Sequence, residues 1–171
     1  MLPTRLRLLH NAWMRKTLDG KHFNTVLNIG CGEDSDSEGR LYSNYFSYRW
    51  MYLVDQNICP NLTYNKTKQI FYQGKAEKLT CILDNSIDFI VSFNMLYHTV
   101  VRKSVPELHR IGKMGSFAAI SYWHRGEGAV IKIRKQVEKK FEILDRFTYL
   151  CTSKELDGRG GIMECLYCKR R

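Results

Sequence analysis

An apolar run, Thr25-Val-Leu-Asn-Ile29, ends in Gly30-Cys31-Gly32. A second, Trp50-Met-Tyr-Leu-Val54, ends on the carboxylate of Asp55, 23 residues after Gly32. Short apolar runs of this kind suit buried strands. Glycines at 30 and 32 lack a Cβ, so the backbone there can bend sharply and approach a ligand closely. A helix opening after the turn would present free N–H groups and the positive end of its dipole. Asp55, at the tip of the next strand, has the place and chemistry to accept hydrogen bonds from two ribose hydroxyls. A dinucleotide site expects a third glycine, yet here Asp34-Ser-Asp36 follows, and it would repel a pyrophosphate. The pattern favours a ligand with a ribose and no phosphates beside the turn. It disfavours a nicotinamide-linked oxidoreductase.

The rest of the chain reads as alternating strands and helices. The first twenty residues form a helix, with Leu2, Leu6, Leu9 and Trp13 near one face. This segment, 1–22, is an N-terminal helical cap on a core of 23–171, one domain in all. A helix is expected over 38–49. Further strands are expected at Gln69–Gly74, Phe89–Asn94 and Phe117–Tyr122, with the polar turn Asp84–Asp88 before the second. The run 101–112 is helical, and Pro106 places its proper start near Ser104. Another helix spans about 129–140. Two closing strands are joined by Asp157-Gly-Arg-Gly-Gly161, a hairpin signal. The fold class is α/β, a sheet parallel apart from its edge. Ligands of such sheets sit beyond the carboxyl ends of the strands.

Composition excludes several classes. At 171 residues, 44% apolar and 26% charged, the chain can bury a core without disulfide staples. No uncharged stretch approaches the ~18 apolar residues of a membrane span. Arg5, Arg7 and His10 interrupt the opening, against a secretory signal. Of six cysteines only Cys165 and Cys168 form a CxxC pair. They lie in a strand, where residues three apart face opposite ways, so no metal site is expected. A reducing, cytoplasmic home follows, and Asn61 and Asn65 are then chance glycosylation patterns. The net charge of +10 suggests an anionic partner.

Val26-Leu-Asn-Ile-Gly-Cys-Gly32, Asp55, Gly74-Lys-Ala-Glu-Lys-Leu79 and Asp84-Asn-Ser-Ile-Asp-Phe-Ile-Val-Ser-Phe-Asn-Met-Leu-Tyr-His98 occur in that order. Together they resemble the motifs of class I S-adenosylmethionine-dependent methyltransferases, most closely the small, broad-specificity branch. The resemblance covers about residues 24–170. It implies a Rossmann-like, seven-stranded, mostly parallel sheet of order 3-2-1-4-5-7-6, with helices on both faces and a C-terminal antiparallel hairpin. It further implies S-adenosyl-L-methionine as cofactor. Gly30, Cys31 and Gly32 would line its methionine portion. Asp55 would hold the ribose, Gln56 or Asn57 would lie beside the adenine, and Ala76 and Glu77 would contact the adenine edge. Asn94 and Met95 would pack near the sulfonium. Two positions depart from the pattern. Asn28 stands where a carboxylate commonly supports the cofactor amino group, and Lys75 stands where an aspartate commonly receives the adenine amino group.

Such a cofactor supplies the reactive methyl, so the protein needs chiefly to align a nucleophile and exclude water. Tyr97 and His98, and Tyr122, Trp123, His124 and Arg125, are expected on the open side. His98 or His124 could take a proton, and Tyr97 or Trp123 could stack on a planar acceptor. The expectation is methyl transfer to an unidentified acceptor. The alternative is a catalytically degenerate homologue, binding nucleic acid or stimulating a partner protein. The basic residues motivate it, in the first helix, at 132–140 and in the tail Lys169-Arg-Arg171.

Overall fold

The computed structural model describes residues 4–31, 45–57, 67–93, 95–124, 126–151 and 160–171. Seven strands form one sheet of order β3-β2-β1-β4-β5-β7-β6. They are β1 Lys21–Ile29, β2 Phe46–Asp55, β3 Gln69–Gln73, β4 Ile87–Phe93, β5 Gly112–His124, β6 Phe141–Cys151 and β7 Gly161–Arg170. Pairings are parallel from β3 through β5 and antiparallel for β5–β7 and β7–β6. This is the expected order, with the antiparallel pair at one edge. Three helices flank the sheet among the described residues: α1 Thr4–Leu18, α2 Val101–Ile111 and α3 Glu127–Glu138. No described helix is long and apolar enough to cross a membrane.

Strand alternation divides the core into two layers. Leu27, Ile29, Ile90, Ala118, Ile120, Leu166 and Cys168 face α2 and α3, which contribute Val105, Leu108, Ile111, Val130, Ile133 and Val137. Val26, Phe89, Val91, Ala119, Met163 and Cys165 face the other way, against Trp13, Met14 and Leu18 of α1. Cys165 and Cys168 thus fall on opposite faces, as their spacing requires. Trp13 Nε1 donates to Asp145 Oδ2 at 3.2 Å and ties α1 to the far strand β6.

Three expectations need correction. Residues 46–49, assigned to the end of a helix, open β2 instead. β1 starts at Lys21, so Phe46–Tyr48 find partners in Lys21–Phe23, and aromatic residues favour a pleated strand. His22 Nδ1 and Ser47 Oγ, 2.7 Å apart, reinforce that pairing. Residues 38–44 of the expected helix lie outside the described residues, as do 157–159 of the expected hairpin turn, whose Gly161 opens β7. Second, α2 begins at Val101 and runs through Pro106. The proline removes the bond to the Arg102 carbonyl, but both residues are exposed, so water can satisfy that oxygen. The buried face, Ser104, Val105, Leu108 and Ile111, holds the helix regardless.

Third, Tyr122 is not on the open side. It lies within β5, directly opposite Glu164 of β7, and is fully buried. Its hydroxyl donates to Glu164 Oε2, while Arg134 Nη1 of α3 donates to Glu164 Oε1 at 2.7 Å. Burial, then the adjoining carboxylate, pushes the Tyr122 phenol far above its ordinary range. Glu164 is only 1% exposed. Removing such a carboxylate strands a guanidinium and a hydroxyl, whereas Tyr122→Phe removes one hydrogen bond.

Burial also acts on His10 of α1. It lies among Trp13 and Phe93 rings, and burial brings its pKa down to about 4 against a bonding contribution from Asn11. The unfolded chain, with an ordinary pKa of 6.5, therefore binds the proton first. This stability contribution is complete above pH 6.5 and is lost as pH falls towards 4.

Two outcomes follow in equilibrium urea unfolding. Glu164→Leu should cost about 3 kcal/mol and Tyr122→Phe about 1 kcal/mol. Between pH 7 and pH 4 the wild type should lose about 3 kcal/mol more than His10→Phe. Parallel stability–pH curves for those two proteins would contradict a neutral buried imidazole.

Candidate functional site

β1, β2 and β4 end on the same edge of the sheet, and a cleft of about 380 Å³ opens there. That is within the usual size of small-ligand sites. Its floor is Ile29, Gly30 and Val54. Gly30 has φ +75°, and a Cβ on it would lie 2.8 Å from both Cβ and Cγ of Met95. The turn therefore requires glycine twice, for its backbone angle and for the close approach of Met95. The Val54 carbonyl accepts from the N–H groups of Gly30 at 2.7 Å and Cys31 at 3.3 Å. That carbonyl pins the exit of β1 beside the end of β2.

Asp55, Gln56 and Asn57 form one wall. Asp55 is half-buried, and its Oδ1 accepts from the Asn57 N–H at 2.9 Å. Its carbonyl accepts from the Gly74 N–H at 2.8 Å, and Gln73 Nε2 donates to the Gln56 carbonyl at 3.2 Å. Gly74, Ala76 and Glu77 continue the wall beyond β3. Glu77 Oε1 accepts from the Val100 N–H at 2.9 Å, placing a carboxylate at the otherwise acid-free start of α2. The opposite wall is Phe93 and Met95, then His98 and Thr99 at the end of a single 3-10 turn, Leu96–His98.

Of the residues expected around a cofactor, Gly30, Asp55, Gln56, Ala76, Glu77 and Met95 line the cleft. His98, expected as a proton acceptor, lines it too. Asn28 and Cys31 are buried behind the floor, Cys31 within the α1-side core. Gly32, Asn94 and the acidic stretch 33–38 lie outside the described residues. Tyr97 falls in the 3-10 turn, and its side chain is likewise outside them. His124 is not among the lining residues. β5 runs three residues past Ser121, which pairs with the last residue of β4, and His124 Nδ1 accepts from the Gly126 N–H at 3.1 Å. Lys75 is exposed, bridged by its backbone to Lys78, and does not line the cleft. Sequence reasoning missed Ile29, Val54, Gly74, Phe93 and Thr99. Their signal was adjacency alone, since each borders a residue already singled out.

Among the described residues no three His, Cys, Asp or Glu side chains gather closely enough to hold a metal ion. The basic C-terminal tail lies elsewhere. Arg170 bonds Asn85 and the Gly112 carbonyl, and the Arg171 N–H reaches the Lys140 carbonyl at 3.5 Å. These lie where β5 begins and β7 ends, the edge opposite the cleft.

A family model described as a methyltransferase domain matches residues 27–120. No curated protein matches the chain. Many solved structures do. The [4+2]-cyclase SpnF has a TM-score of 0.70 at 14% identity, over 96% of this chain and 80% of its own. Phosphoethanolamine N-methyltransferase 2 of Haemonchus contortus, complexed with phosphomonomethylethanolamine and S-adenosylhomocysteine, has a TM-score of 0.69 at 12% identity, over 95% of this chain and 52% of its own. A chain from the Haloferax volcanii complex of the Trm112 methyltransferase activator with a proposed methyltransferase has a TM-score of 0.64 at 12% identity, over 96% and 92%. At such identities the structures share a fold, and one of them is a cyclase, so the fold alone does not fix a reaction. The matched family segment, however, covers more than half of the sequence and runs through the strands that build the cleft: the chain belongs to the methyltransferase-domain family.

Proposed function

We propose that the chain is an S-adenosylmethionine-dependent methyltransferase whose cofactor lies in the cleft at the ends of β1, β2 and β4. The observation that carries this is the Gly30 turn, pinned by the Val54 carbonyl directly beside Asp55. The residues present fit an adenosyl group. The turn has no room for a side chain, a carboxylate stands at the strand tip for the ribose, and Ala76 offers a small apolar surface for a planar base. Gln56 and Asn57 supply polar groups at that end, and Met95 an apolar contact at the other. When bound, the cofactor supplies a methyl activated by a sulfonium.

The chain's own residues then have limited tasks. Phe93 and Met95 exclude water from one side of the cleft. His98, exposed at the rim, is placed to take a proton from an acceptor that carries one. Tyr97 and His124 remain proposals of the same kind from farther positions. The methyl acceptor is unidentified. A nucleic acid held by the Lys140–Arg171 surface would sit at the opposite edge from the cleft, so that surface would serve a partner rather than the acceptor. An activator protein, as in the Haloferax volcanii complex, is the partner class that the fold neighbours suggest.

Titration calorimetry with S-adenosylhomocysteine tests the reading, and no heat at millimolar ligand would end it. Asp55→Ala should weaken binding by about 1.5–3 kcal/mol, the scale of hydrogen bonds to a charged group. Gly30→Ala should abolish binding and lower stability by about 1–3 kcal/mol, since it strains the backbone and displaces Met95. Wild-type affinity in either variant would place the ligand elsewhere.

A further inference from the structure

The two edges of the sheet differ. β6, at one edge, carries the charges of Glu142, Asp145 and Arg146 and a register shift between Ile143 and Asp145. Charges and bulges on an edge strand discourage pairing with another chain. β3, at the other edge, is Gln69-Ile-Phe-Tyr-Gln73, with no charge, no proline and an unbroken register on β2. Among the described residues β2 is its one strand neighbour. An apolar patch adjoins it on the α2 face. Tyr52 and Tyr72 pack on the core of that face, with ring centroids 5.8 Å apart. Trp50 and Ile70, two residues before each, share the face and are 42% and 39% exposed. A neutral edge strand flanked by exposed apolar side chains is a template for strand addition.

The bonds to β2 fix which backbone groups of β3 point outward. The Met51 N–H donates to the Lys68 carbonyl at 2.8 Å, and the Gly74 N–H donates to the Asp55 carbonyl at 2.8 Å. In a parallel ladder alternate residues of a strand address the same neighbour. Lys68, Ile70, Tyr72 and Gly74 therefore face β2 with their backbone groups, and Gln69, Phe71 and Gln73 direct theirs the other way. Two copies related by a two-fold axis bring identical edges together antiparallel. With the axis at Phe71, Phe71 meets Phe71 of the second copy and Gln73 meets Gln69. These are the outward-directed residues, so every such pair can exchange both of its backbone bonds. The side chains match in the same register. Ile70 falls opposite Tyr72 on the α2 face, Phe71 opposite Phe71 on the α1 face, and glutamine opposite glutamine at both ends. Aromatic and branched apolar pairs favour pairing, and like charges would oppose it. No like charges meet here, because Lys68 falls opposite Gly74.

We propose that β3 is a self-pairing edge, through which two copies of this chain join antiparallel over Gln69–Gln73, about an axis at Phe71, into one continuous sheet. The occupant is a second copy because the sequence of the strand is its own complement in this register. The inference is independent of what the cleft binds. Strands of the two copies run oppositely, so the two clefts open at opposite edges of the joined sheet. Five strand residues from each copy are few beside the 20–30 a side of a standard interface, which makes the dimer reversible, with a dissociation constant on the order of 10 µM.

Sedimentation equilibrium of the whole chain from about 1 to 100 µM tests this, and should show a monomer–dimer equilibrium. Ile70→Lys, at an exposed position, should weaken the dimer by about tenfold or more. Gln73→Pro should do the same, since it removes an N–H directed away from β2 and leaves the β2 ladder intact. Circular dichroism of both variants should match the wild type. Adding Tyr72→Glu to Ile70→Lys sets opposite charges across the axis and should recover part of the lost affinity. A double variant no tighter than Ile70→Lys alone would overturn the register. A dimer of wild-type strength in both Ile70→Lys and Gln73→Pro would overturn the edge as the interface. A wild type that stays monomeric at about 100 µM would overturn the second copy as occupant and leave the strand to an unlike partner. If Ile70→Lys does not fold, Gln73→Pro alone decides, and an unchanged dimer there counts equally against the proposal.

Discussion

A single backbone carbonyl, that of Val54, fixes how the chain leaves β1 at the cleft. It accepts from both Gly30 and Cys31. Without that bifurcated contact the chain leaving β1 could turn in many directions. With it, the turn is forced against the last residues of β2, and Asp55 comes to stand at its side. The parallel pairing of β1 with β2 over Val26–Ile29 and Met51–Val54 makes the contact possible. Met95 then closes on the missing side chain of Gly30 from the β4 side. Three strand ends are locked into one edge by contacts that tolerate almost no added volume.

The wall formed by 74–79 depends on a different source of order. Among the described residues it has one bridge, Lys75 to Lys78, and no strand partner beyond β3. Its polar groups are met by α2 instead. Glu107 Oε1 accepts from the Leu79 N–H at 2.6 Å, and Arg110 Nη2 reaches the Leu79 carbonyl at 3.0 Å. Arg110 also bonds Glu107, Asp84 and the Ile82 carbonyl. Those bonds from Arg110 hold the Glu107 carboxyl below its usual range. Side chains of one helix thus do for an irregular segment what ladder bonds do for a strand. The position of Ala76 and Glu77 in the cleft follows from α2 being packed on the sheet.

Much of this was legible in the sequence because it rests on period and punctuation. The strand-turn-carboxylate pattern at 25–32 and 50–55 specified which strand ends would meet, and Cys165 and Cys168 could be assigned to opposite faces by counting. What was not legible depends on distant partners. Residues 46–49 look helical until Lys21–Phe23 are known to extend β1 and to pair with them. Pro106 looks like a helix boundary until its exposure is known. Tyr122 looks like a rim residue because Glu164, 42 positions later, cannot be seen to lie opposite it. His10 read only as a break in an apolar run, since nothing local says that Phe93 will cover it.

The two departures from the family pattern have unequal weight once their places are known. Lys75 is exposed and outside the cleft lining, so it puts no cation into the cleft. Asn28 is different, because it is buried and cannot turn to solvent. A carboxylate in that position would carry a charge into an apolar layer formed by Val26, Phe89 and Val91, and would need a cation to offset its desolvation. An amide avoids that cost. Neutral donors and acceptors bind charged ends more weakly than a charge would. Under the methyl-transfer reading proposed above, the loss would fall on affinity rather than on the transfer itself, which needs alignment at the sulfonium more than charge at the far end of the amino acid.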